Sequence, residues 1–144
     1  MAKVNIFRHN ANIESFDIRD IDLNACETRE QIFNVFKLVL EFGDEFGNNW
    51  NAFHDNILNL FFTVENGLKL IIRHGEAILR LPSIEQSYII SDLVSMACGN
   101  ATQDDGASID VCLQIEFDCE ANANKFTEII FTNLAAKDLI VTSR

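Results

Sequence analysis

The stretch "SIDVCLQIEF" sets Ile109, Val111, Leu113, Ile115 and Phe117 at every second position, with polar or small residues between them. Side chains of a strand alternate between its two faces, so this spacing predicts a strand over 109–117 with one face against a core. Elsewhere the apolar period is helical. Ile32, Phe33, Val35, Phe36, Val39 and Leu40 predict a helix over 28–40, opened by a Thr28/Gln31 capping box and ended by the time the chain reaches Gly43. Trp50, Phe53, Ile57, Leu60 and Phe61 form one stripe of a second helix with Asn49 as its N-cap. "GLKLIIRH" reads as a short strand buried on both faces and "GEAILR" as a helical turn. A further helix opens at Pro82 and Ser83, with a Ser83/Gln86 capping box, and stops at Gly99.

The ends of the chain are read the same way. "ESFDIRDIDL" partly alternates through Phe16 and Ile18 and predicts a first strand, with a loosely held end before it. "NANKFTEIIFTNLAAKDL" predicts a final helix and "IVTS" a last short strand. Strands and helices interleave with no repeat or Pro/Gly/Ser linker between them, which predicts one α/β domain over 1–144, a small parallel or mainly parallel sheet carrying helices. With 48% hydrophobic residues, twelve of them Phe, there is ample apolar area for its core.

Charge narrows the partners. Eleven Lys and Arg oppose twenty-two Asp and Glu, a formal net charge of -11, so phosphate backbones and anionic lipid are repelled and basic proteins attracted. Between Lys37 and Lys69 there is no Lys or Arg, while Glu41, Asp44, Glu45, Asp55 and Glu65 fall in the gap. A second such interval, Leu81 to Asn124, holds eight acids. No apolar run reaches the ~20 residues of a membrane span, and "MAKVNIFRHN" lacks the apolar segment of a secretory signal, so a cytoplasmic location is expected.

Catalytic signatures are missing. His9, His54 and His74 have no second His or Cys at ligand spacing, and Cys26, Cys98, Cys112 and Cys119 contain no C-x-x-C pair, so no metal, cofactor or catalytic residue is proposed and the cysteines are expected to be reduced core thiols. G-x-S-x-G, G-x-G-x-x-G and the P-loop are absent. An enzyme working through His54 and Asp55 would require a deep pocket around that pair.

"FGDEFGNNWNAFHDNILNL" resembles the helix-loop-helix signature of the barstar family of intracellular ribonuclease inhibitors, here Phe46, Gly47, Asn49, Trp50, Asn51, Ala52, Phe53, Asp55 and Ile57. The resemblance covers about residues 13–118 and implies a small parallel three-stranded sheet with helices packed on it, followed by a C-terminal helical extension over about 119–144. A second register would instead pair "FTEIIFTNLAAKDLIVTS" with the family's last helix and strand; the regular alternation over 109–117 favours the first. By position the resemblance implies a partner-binding surface of Glu45, Gly47, Asn51, His54 and Asp55, with Asp55 meeting the cations that otherwise hold RNA phosphate. Three positions depart from the pattern: Asn51 stands where a second acid is expected, Gly43 where a proline is usual, and "DLVSMA" where the later helix should offer Glu. The resemblance therefore implies a stoichiometric, non-catalytic inhibitor of a basic ribonuclease toxin, with no direct nucleic-acid or membrane partner. The alternative is an interaction domain of the same fold that no longer targets a nuclease.

Overall fold

The computed structural model describes residues 2–8, 17–43, 49–59, 67–98, 110–133 and 139–143. In chain order the elements are β1 (Ala2–Arg8), β2 (Asp17–Asp22), α1 (Arg29–Leu40), α2 (Trp50–Asn59), β3 (Gly67–Arg73), α3 (Glu76–Leu79), α4 (Ser83–Cys98), β4 (Asp110–Phe117), α5 (Glu120–Asn133) and β5 (Leu139–Ser143). The strands form one sheet in the order β2-β3-β4-β1-β5. β2, β3 and β4 run parallel, as expected, but the sheet has five described strands rather than three, because β1 inserts antiparallel between β4 and β5.

The start of the chain is thus an interior strand and not a loosely held end. Val4 and Ile6 are fully buried and alternate with Lys3, Asn5 and Phe7, the period of a strand with one covered face. Its partner strand β4 lies more than a hundred residues later, which local spacing cannot reveal. The C-terminal extension likewise includes strand as well as helix. Through Ala123, Phe126 and Ile130, α5 joins the same core, the Phe126 ring lying 5.3 Å from that of Phe117.

Both parallel crossovers, β2 to β3 and β3 to β4, step across the sheet in the same direction. Right-handed connections then place their helices on the same side. Burial agrees: Ile21, Leu68, Leu70, Ile72, Val111, Leu113, Ile115 and Phe117 face the helices and are buried. On the opposite face Lys3, Asn5, Phe7, Lys69, Ile71, Arg73, Cys112 and Gln114 are only half-buried or exposed. "GLKLIIRH" is therefore covered fully on one face, not two. In β2 the buried position is Ile21, while Ile18 is 63% exposed, so the covered phase of that strand does not run through Ile18.

Local signals in the helices are mixed. Thr28 caps α1 as predicted, its side chain accepting from the Gln31 backbone N–H while Gln31 reaches back to the Thr28 N–H. Glu41, not glycine, takes the left-handed position at its end (φ 58°), and buried Phe42 follows. In α4 the Ser83/Gln86 box does not form. Ser83 is the first helical residue and the Gln86 amide donates to the Leu79 and Leu81 carbonyls. At Gly75 a Cβ would lie 2.6 Å from the Phe117 ring, so only glycine lets the β3–α3 turn pack this closely on β4.

The cysteines divide. Cys26 is buried and Cys112 half-buried, and burial pushes both thiols up, whereas Cys119 is exposed and is not a core residue. All three are free.

Candidate partner-binding surface

An aromatic cluster seats α2. Phe53 is fully buried, with its ring 5.0 Å from Phe36, 5.8 Å from Phe33 and 6.3 Å from Phe42, while the Trp50 ring meets Phe33 at 4.7 Å. Asn49 caps the helix by accepting from the Ala52 backbone N–H at 2.9 Å. With Phe53 and Ile57 fixed inward, the 3.6-residue period turns Asn51, His54 and Asp55 outward, and all three are exposed.

Of the five residues singled out in the sequence, the structure places these three on one helix face. Glu45 and Gly47 lie outside the described residues. Asp55 has no hydrogen-bond or ion-pair partner among the described residues. His54 is differently placed. Its Nδ1 lies 2.6 Å from the Asp92 Oδ1 of α4, with 51% of the His54 side chain exposed and only 10% of that of Asp92. Burial raises the Asp92 carboxyl above its ordinary range, against the opposing hydrogen bond and charge of His54.

Sequence reasoning missed Asp92 and Tyr88. An open groove of about 520 Å³ runs between α2 and α4, lined by Asn49, Trp50, Asn51, His54, Tyr88, Ser91 and Asp92. One signal was available: Tyr88, Ser91 and Asp92 are spaced to share one side of α4, beside the apolar face of Ile89, Leu93 and Ala97. What the sequence could not give is that α4 sets this side against α2. Trp50, expected as a core anchor, does both jobs, touching the core and lining the groove; its indole Nε1 donates to the Glu85 Oε1 at 2.8 Å. The same Glu85 oxygen accepts from Arg29 at 3.0 Å, so one carboxylate joins α1, α2 and α4. Asp55 is not among the described residues that line the groove.

The arrangement follows the family signature. A family model described as Barstar (barnase inhibitor) matches residues 16–114, most of the chain. The chain belongs to the barstar family. The matched span begins just before β2 and ends within β4, so it contains β2, β3, most of β4, α1 to α4 and the exposed side of α2, while β1, α5 and β5 lie wholly outside it. No curated protein and no solved structure matches the chain. Among the described residues no group of His, Cys, Asp and Glu could hold a metal ion, and no helix is long and apolar enough to cross a membrane.

Proposed function

We propose that this protein is a stoichiometric inhibitor of a basic ribonuclease, acting in the cytoplasm of the cell it protects. The outer side of α2 enters the nuclease cleft. Asp55, exposed and without an internal partner among the described residues, is the observation that carries the reading. A ribonuclease cleft gathers Arg, Lys and His to hold phosphate, and a carboxylate presented on a rigid helix substitutes for that phosphate by accepting charge-assisted hydrogen bonds from them. Asn51, one turn earlier, adds an amide with both donor and acceptor. Rigidity matters as much as charge, and the Phe33, Phe36, Phe42 and Phe53 cluster beneath supplies it. The inhibitor occludes and does not turn over.

Two features favour a second reading, in which the fold binds a basic protein that is not a nuclease. Asn51 replaces an acid, and the one described acid of α4 that lines the groove, Asp92, is engaged by His54. A ribonuclease assay separates the two readings. Expected is complete loss of the cognate nuclease's activity at a one-to-one ratio, with Asp55→Ala restoring it. Full nuclease activity in the presence of excess inhibitor would refute the primary reading and favour the second.

A further inference from the structure

The two faces of the sheet differ in charge as well as in cover. On the face away from the helices, Asp22, Arg73, Glu116 and Lys3 stand side by side on β2, β3, β4 and β1, one row at the C-terminal ends of the parallel strands. The row reads acid, base, acid, base. Behind it lie Ile18, 63% exposed, and half-buried Ile71 and Phe7. With Lys69 and Asp20 included, three bases on this face meet three acids among the described side chains, so the face is neutral in a chain of net charge -11.

We propose that this face joins two copies of the chain in a weak two-fold dimer. An alternating row, reversed, becomes its own complement. A two-fold axis running along the strands between β3 and β4 therefore sets Lys3 opposite Asp22 of the second copy, both exposed, and Arg73 opposite Glu116. An axis over β4 instead would set Arg73 against Lys3. In the complementary arrangement Ile18 comes over Phe7, so the exposed apolar side chains are covered by the same contact. Two chains this acidic repel each other, and a neutral face lessens the cost of their approach. Strands spaced about 4.8 Å apart and rising about 3.3 Å per residue make four of them a face of roughly 20 by 20 Å, near the small end for specific interfaces, which is why the dimer is weak. The outer side of α2 lies on the helix side of the sheet and stays open, so the dimer stands apart from the inhibitor reading.

Sedimentation equilibrium of the full chain tests it over about 1 to about 500 µM, with a dissociation constant on the order of 10–100 µM expected. Lys3→Asp, which puts acid opposite acid at both ends of the row, should weaken the dimer at least roughly tenfold. Asp22→Lys should do the same although it makes the chain less acidic. An equimolar mixture of the two variants should associate again, because each contact then holds one acid and one base. Asp22 also bonds Asn24 and His74, so circular dichroism checks that its variant folds; where it does not, Ile18→Lys, at an exposed residue, takes its place and should likewise leave monomer. Glu128→Lys on α5 removes as much negative charge as Asp22→Lys and should leave the dimer no weaker. A chain monomeric throughout, a dimer indifferent to Lys3→Asp or to Ile18→Lys, or folded charge variants that stay monomeric when mixed would each overturn the proposal.

Discussion

On the open face of the sheet every described acid of the central cluster has a base to answer it. Arg73 pairs with Asp20 at 2.8 Å and with Glu116 at 3.0 Å, and His74 lies 2.8 Å from Asp22. Along the outer sides of α2 and α4 the pairing is incomplete: Asp92, like Asp22, meets an imidazole, but Asp55 has no partner among the described residues. Both regions are acidic in sequence, yet the sheet face sets a guanidinium against two of its acids, and no described base faces Asp55. The difference teaches that the surplus of acids has an address, which a net charge alone does not supply.

The contrast can be broken most sharply at Asp55. Asp55→Ala should weaken nuclease inhibition by about 10²–10³-fold with little change in Tm, because truncating one member of a desolvated charge pair costs ~2–5 kcal/mol, a range to which the barnase–barstar complex itself contributes. Inhibition constants and thermal melts, read together, check it. A smaller effect is expected from Trp50→Phe, which deletes the hydrogen bond to Glu85. It should cost about 1–2 kcal/mol in urea unfolding and loosen the groove wall. Smaller again is Arg73→Gln. A fall in Tm with no change in inhibition is expected, since the half-buried arginine serves its own sheet, pairing with exposed Asp20 and with buried Glu116, whose carboxylate would lose its base; any loss of inhibition would erase the distinction between the two regions.

The smallest effect is in acid titration, and the two regions should show opposite signs. The Asn24 backbone N–H and then the His74 side chain hold the Asp22 carboxyl below its usual 3.8. Its stabilising contribution is present above the unfolded value and is lost as pH falls through the lower folded value. Asp92 is pushed above 3.8, chiefly by burial. The folded chain therefore takes up that proton before the unfolded chain does, and the burial penalty is relieved as pH falls through the raised value. Urea midpoints against pH should lose a slope above 3.8 in Asp92→Asn and a slope below it in Asp22→Asn.

Much of this architecture was legible in the residues. Thr28 with Gln31, the Trp50–Phe53–Ile57 stripe and the alternation from Val111 to Phe117 each carry their own period, and each element appears where that period puts it. What failed depended on distance. Val4 and Ile6 alternate as plainly as a strand should, but a strand is confirmed by its neighbour, and β4 is remote in sequence. Ser83 and Gln86 have capping-box spacing, yet Ser83 already lies inside the helix and the Gln86 side chain is held by donating its Nε2 to the carbonyls of Leu79 and Leu81. The outward turn of Asn51, His54 and Asp55 was readable from helical phase. The groove was not, because Tyr88 and Asp92 join the site only through the packing of α4 on α2.

The insertion of β1 between β4 and β5 bears on how the protein can be handled. Trimming the gene to the segment that carries the family signature would cut β4 three residues short at Gln114 and remove its antiparallel neighbour altogether. The bared strand would offer its unpaired amides and carbonyls to the next molecule, and such a fragment should precipitate or form ribbons rather than yield a minimal inhibitor.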